Sequence, residues 1–173
     1  MTLSRADMIR LFERLNTDLA NQGVTGELYL VGGAVMCLVF DARPSTKDLD
    51  GYFQPARAIR DAAARVAAAS GIDEDWLNEA AKGFLSSTGD FDGYLELSNL
   101  RVLTATPEYL LAMKCLAMRL GEEFHDEDDV RYLLRYLNVR RYDAALEIVG
   151  RYYPLERIPQ KTLYALEEIL GGG

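Results

Sequence analysis

Cysteine and histidine are almost missing from this chain, whose 173 residues include two cysteines and one histidine. Cys37 and Cys115 each sit in an apolar segment, so no disulfide framework is expected and zinc ligation through cysteine lacks a ligand set. A lone His125 excludes a multi-histidine metal site. Long hydrophobic runs are missing too. The longest charge-free stretch, Leu28 to Phe40, is interrupted by Gly32 and Gly33 and is shorter than the ~18 consecutive apolar residues of a membrane helix. Positive charge is scarce: 27 acidic side chains face 19 basic ones, a net charge of −8 at pH 7. That balance argues against coating nucleic acid through bulk charge, though it leaves room for a local basic patch. The opening MTLSRADMIRLFERL is charged throughout, unlike a signal peptide. The expectation is a cytoplasmic protein with no membrane segment.

What is present describes a soluble globular protein of ordinary domain size, with 49% apolar and 27% charged residues. Ser4 precedes an apolar stripe at helical spacing, Met8, Leu11, Phe12, Leu15 and Leu19, which predicts a capped first helix ending near Gly23. Glu27 to Val31 reads as a strand, Gly32-Gly33 as a turn, and Ala34 to Phe40 as a buried helix. Thr46 to Phe53 alternates polar and apolar residues and predicts a second strand. Pro55 opens an alanine-rich helix through about Ala69, with Ile59 and Val66 facing the core. A short helix is expected around Trp76-Leu77-Asn78, a loop at Ser86 to Asp90, and strands at Tyr94 to Leu97 and Leu100 to Leu103. Four helices then follow: Pro107 to Arg119, Asp126 to Leu137, Asp143 to Tyr152, and Pro159 to Leu170. Strands cluster before residue 105 and helices after it. The fold class is therefore α+β: a small mixed sheet with flanking helices over 1–105, and a helical bundle over 106–173 packed on that core. The closing Gly171-Gly172-Gly173 reads as a frayed end or a cloning remnant.

Two motifs carry chemistry. On a strand, Asp48 and Asp50 face the same side about 6.6 Å apart and present two carboxylates to one site. Such a pair repels and stays ionised most easily beside a cation; magnesium fits, as a hard ion that combines a few carboxylates with substrate phosphates. The Gly32-Gly33 turn lets backbone approach a ligand, and the following helix offers unpaired N–H groups to phosphate. Thr46-Lys47, just before the acids, makes the combination more specific. Lys114 is the one charge between Tyr109 and Met118. An ammonium on so apolar a helix must snorkel outward or meet an anion. If it serves phosphate, replacing it by methionine is expected to keep or raise stability.

Val31-Gly32-Gly33-Ala34 followed by Thr46-Lys47-Asp48-Leu49-Asp50 resembles the signature of polymerase-β-type minimal nucleotidyltransferases. The segments Trp76-Leu77-Asn78, Leu100-Arg101-Val102, Pro107 to Lys114 and Asp126-x-x-Asp129 are similar to those of the AbiEii/MenT-like branch, known mainly as toxins of toxin–antitoxin pairs. The resemblance spans about residues 26 to 137. It implies transfer of a nucleoside monophosphate from a nucleoside triphosphate (NTP), with Mg²⁺ or alternatively Mn²⁺, to a hydroxyl acceptor. In MenT-like members that acceptor is the 3′ end of tRNA. It further implies catalytic roles for Asp48, Asp50, Lys114 and Asp126, and NTP contacts at Gly32, Gly33, Thr46, Lys47 and Lys114.

A third metal-binding carboxylate comes from a later strand in many such enzymes, and Glu96 has the right local pattern, with Asp92 as the alternative. Thr46 matches a position where a partner's phosphorylation silences MenT-like toxins, and a cognate antitoxin would be the partner. Ala34 departs from the wider pattern, where a serine often follows the glycines, so phosphate binding would rest on backbone groups. The helix dipole alone would account for the cluster Asp126 to Asp129, and Asp129 could instead anchor Arg131 or a loop. His125 reads as a surface or capping residue. Trp76, Tyr109 and Phe84 read as core aromatics, and Tyr132 with Tyr136 as a pair packing between helices. Two alternatives remain: a non-catalytic nucleotide-binding or protein-interaction module on the same fold, and a nucleotidyltransferase for a small molecule such as an aminoglycoside antibiotic.

Overall fold

The computed structural model describes residues 1–120 and 124–171. The last two glycines of the closing triplet, expected to fray, lie outside the described residues. The chain divides into two compact units: Met1–Gly83 with Phe91–Ala105, and Phe84–Asp90 with the residues from Thr106 onward. The loop that follows residue 83 thus groups with the helical unit, where sequence alone assigned it to the first.

In the first unit a two-residue strand β1 (Leu3–Ser4) leads into helix α1 (Arg5–Asn21). Ser4 accepts from the Asp7 N–H while the Asp7 carboxylate accepts from the Ser4 N–H, a reciprocal cap that satisfies two otherwise unpaired donors. Strand β2 (Gly26–Val31) turns at the glycines into α2 (Gly33–Leu38). Then come β3 (Ser45–Thr46), β4 (Leu49–Gln54), α3 (Ala56–Ser70), β5 (Leu77–Asn78), β6 (Phe91–Glu96) and β7 (Leu100–Ala105). The main sheet is five-stranded in the order β5-β4-β2-β7-β6. It is mixed: β2 runs antiparallel to β4 and parallel to β7.

Strand alternation divides this sheet into two faces. One carries Leu28, Leu30, Leu49, Phe53, Leu100 and Val102, all buried, and Ile59 of α3 lies directly beneath Gly26 of β2 on that side. Helices α1 and α3 pack on each other and touch β7 and β4. The other face carries Asp50, Tyr52, Tyr29 and Phe91. Here the Tyr29 and Tyr52 rings stack at 4.5 Å and 5°, with Phe91 edge-on to Tyr29 at 5.2 Å.

Two expectations for this unit fail. The single strand from Thr46 to Phe53 is two: Ser45–Thr46 pairs antiparallel with β1, and β4 begins only at Leu49. Polar–apolar alternation cannot reveal that the two halves take different partners. Around Trp76 there is no helix. Leu77–Asn78 extends the sheet beside β4, because the Trp76 carbonyl accepts from the Leu49 N–H (2.7 Å) and its indole Nε1 donates to the Ala63 carbonyl (3.0 Å). Those tertiary bonds outweigh a local pattern too short to discriminate.

The second unit contains α4 (Pro107–Leu116), α5 (Asp126–Tyr136), α6 (Tyr142–Gly150) and α7 (Gln160–Ile169). Helix α4 packs against α5 and α6, and α6 against α7. Phe84–Asp90 is fastened to these helices through polar contacts: the Ser86 N–H donates to the Tyr109 hydroxyl (2.9 Å), and the Tyr152 hydroxyl donates to Asp90 Oδ2 (2.8 Å). Trp76 and Tyr109 are core residues as expected, but Phe84 is 42% exposed. Tyr136 stacks on Tyr132 yet is 58% exposed, so the pair lies along one helix surface. His125 is exposed at the start of α5 and makes no side-chain cap.

Candidate active site

Leu49 is fully buried, and its two flanking aspartates are half-buried, as alternation across the start of a strand requires. Asn78 lies near both: it stands opposite Asp50 in the β4–β5 register, its Nδ2 donates to the Asp75 carbonyl (3.3 Å), and its amide favours the charged form of Asp48. Burial, reinforced by the negative charge of Asp75, raises the affinity of Asp48 for a proton above that of an ordinary aspartate; Asn78 and Lys47 oppose that shift. Lys47 itself is exposed. The Thr46 hydroxyl donates to the Asp48 carbonyl at 3.2 Å, which braces the turn into β4.

The neighbouring turn sits beside Asp50, which pairs with Val31 across β2 and β4. Gly32 has φ +71° and ψ −149°, a backbone conformation open essentially to glycine alone. A Cβ built on it would lie 3.9 Å from Asp50 Oδ2. Gly33 is glycine for a different reason. A Cβ there would approach Arg43 Nη1 to 2.8 Å and Thr46 Oγ1 to 3.1 Å. Arg43 and Asp75 were not singled out by sequence, since neither stands in a periodic or repeated pattern, and Asn78 entered there only as the last residue of the segment Trp76-Leu77-Asn78.

Glu96 is not brought to the aspartates, which corrects the expectation of a third carboxylate from this strand. The register aligns Glu96 with Arg101, Glu27 and Gln54 in one row across the sheet. That row is four residues along β4 from Asp50, about 13 Å, and β6 lies three strand spacings of ~4.8 Å away from β4. The alternative, Asp92, aligns with Thr104, Leu30 and Gly51, and so belongs to the sheet face opposite Asp50. Sequence supplies the alternation of a strand but not its rank in the sheet.

Among the described residues, no group of three or more His, Cys, Asp or Glu side chains could hold a metal ion. The hard-oxygen pair Asp48 and Asp50 fits magnesium that completes its shell with ligand oxygens and water. A half-buried aspartate raised by burial and an acidic neighbour is the kind of group that a divalent cation relieves.

In the second unit, Lys114 has met its anions. Its Nζ lies 3.1 Å from Asp126 Oδ1 and 2.8 Å from Asp129 Oδ2. Asp126 also accepts from the Arg119 backbone N–H (3.0 Å) and Nε (2.8 Å). Burial alone would raise the Asp126 carboxyl, but Arg119 and Lys114 outweigh it and hold the group below the usual range. Asp129 therefore anchors Lys114, while Arg131 pairs with Glu127 one turn before it. Comparisons of the chain with protein-family models, curated proteins and solved structures found no match.

Proposed function

We propose that the protein is a magnesium-dependent nucleotidyltransferase that moves a nucleoside monophosphate from an NTP to a hydroxyl acceptor. One observation carries this reading: Asp48 and Asp50 flank the buried Leu49, and the adjacent turn has a Gly32 whose Cβ position is open and lies about 4 Å from the Asp50 carboxylate. Phosphoryl transfer asks little covalent work of a protein, and positioning with charge stabilisation supplies most of the catalysis. Asp48 and Asp50 would hold Mg²⁺, which when bound neutralises triphosphate charge and acidifies the attacking hydroxyl. The acceptor oxygen attacks the α-phosphorus, the bond to the bridging oxygen breaks, and pyrophosphate leaves. Gly32 keeps the turn clear of side-chain atoms on the approach to Asp50. The Asn78 amide beside Asp48 favours the charged form of that carboxylate. Thr46 fixes the peptide of Asp48 and thereby the direction in which that side chain leaves the chain.

RNA as acceptor, the tRNA 3′ end, the toxin role and a cognate antitoxin rest on the resemblance alone. Lys114 and Asp126 are bonded to each other in the second unit, and the proposal does not depend on them. That engagement of Lys114 favours a second reading, a nucleotide-binding module without transfer activity. Incubation of the protein with each labelled NTP and total RNA separates the two. Label transfer that Asp48→Ala and Asp50→Ala each abolish, with the fold intact, supports the enzyme. Magnesium-dependent NTP binding without transfer supports the module. Equal transfer by parent and double variant removes the assignment.

A further inference from the structure

We propose that Arg43 is the side chain that binds the phosphate chain of the NTP at the Gly32-Gly33 turn; this deepens the function proposed above and rests on it. The geometry starts from Gly33. Its missing Cβ leaves room for the Arg43 guanidinium, whose Nη1 and Cζ lie 2.8 and 3.6 Å from where that atom would be. On the adjacent residue, the Cβ position of Gly32 points to Asp50 Oδ2 at 3.9 Å. Two consecutive glycines are therefore flanked by a guanidinium on one and a candidate metal-binding carboxylate on the other. A polyanion that shares its charge between a cation held by aspartates and a fixed guanidinium requires this juxtaposition.

The local fold gives the site few other ways to hold phosphate. Helix α2 spans only Gly33–Leu38, too short for a strong dipole, and Ala34 has no hydroxyl to offer. The aspartates and the net charge of −8 repel a triphosphate. A guanidinium answers both deficits with a permanent charge and a planar fork of donors matched to phosphate oxygens. The segment carrying it is braced on both sides. The Ala42 N–H donates to the Met36 carbonyl (3.0 Å), Ser45–Thr46 pairs with β1, and the Thr46 hydroxyl binds the Asp48 carbonyl. Arg43 is half-buried, so less of its freedom remains to be lost on binding.

The test uses the full chain with Mg²⁺, titrated calorimetrically with inorganic tripolyphosphate and with each of the four NTPs, alongside thermal melts. Arg43→Gln should weaken both kinds of ligand about tenfold to a hundredfold, the effect of losing charge-assisted hydrogen bonds, measured at a temperature where the melts show the variant folded. Arg43→Lys should recover part of the affinity, keeping the charge but not the fork. Gly33→Ala should push the guanidinium aside and weaken binding in the parent, yet cost little more in the Arg43→Gln background. Undiminished tripolyphosphate and NTP binding by Arg43→Gln overturns the role of Arg43 and leaves the nucleotidyltransferase reading standing. So does a Gly33→Ala loss of equal size with and without Arg43. Arg43→Gln affinity that equals the parent's once corrected for the unfolded fraction assigns the residue to folding and also overturns the role. A parent protein that binds no NTP with Mg²⁺ overturns both proposals.

Discussion

Replacing Lys114 by methionine keeps most of the side-chain volume and removes one ammonium. Read from sequence, an awkward charge leaves an apolar helix and stability holds or rises. The structure reverses that sign. The side chains of Lys114, Asp126 and Asp129 are 11%, about 5% and 4% exposed, so the variant leaves two carboxylates buried without the cation between them. Removing one partner of a buried ion pair costs about 3–5 kcal/mol. Asp126 retains two donors of Arg119, which places the expectation near the lower end, about 3 kcal/mol. For a chain of this length that is a fall of roughly 6–12 °C in melting temperature.

Urea unfolding followed by circular dichroism at pH 7, with the slope checked for constancy, measures the loss. Its pH dependence has a definite sign. Asp126 is held below its ordinary range, so its pairing contributes stability above the unfolded value of about 3.9, and that contribution is lost as pH falls through the lower native value. The deficit of Lys114→Met should therefore be largest near neutrality and shrink in acid, as Asp126 takes up a proton and its lost pairing with Lys114 ceases to matter. Asp129→Asn in the same background should restore part of it by removing one buried charge. A Lys114→Met protein as stable as the parent at pH 7 would refute the reasoning. A deficit that stays constant between pH 7 and pH 3 would also refute it, assigning the loss to packing of the lysine stem.

Asp48→Asn is expected to melt no lower than the parent at pH 7. Because burial and Asp75 raise the native Asp48 carboxyl, its favourable contribution is complete only below the unfolded value and is lost as pH rises through the native one; the two melting temperatures should converge in acid, and a large neutral-pH loss would contradict this. Gly51→Ala should be among the most damaging single changes, at about 4 kcal/mol or more, because its Cβ would lie 2.0 Å from the Tyr29 carbonyl oxygen in the adjacent strand. Gly32→Ala has space but the wrong backbone angle and should cost about 1–3 kcal/mol, so comparable melts for the two glycine variants would disprove the distinction.

Sequence by itself determined the elements whose signal is local. The stripe from Met8 to Leu19, the Ser4 cap, the strand–glycine–helix unit around Gly32 and the four helices after Pro107 all follow from residues within one or two turns of each other. So does the placement of Asp48 and Asp50 on either side of a buried leucine, since strand alternation is a property of the chain alone. Only the tertiary structure decided which distant residue each element meets. Leu77–Asn78 became a strand because Leu49 supplied a backbone donor, and Thr46 left the main sheet because Leu3 was available to pair with it. Glu96 had a strand's pattern, but the order β5-β4-β2-β7-β6 put it far from the aspartates. Lys114 carried a charge whose cost or benefit could not be signed until Asp126 and Asp129, about one helix further on, came within 3.1 Å. Periodicity records which face of an element is buried, whereas electrostatics and hydrogen bonding act over a few ångströms between residues that only folding brings together. That is why Arg43, unremarkable in the chain, gained its significance from the space left by a missing Cβ on Gly33.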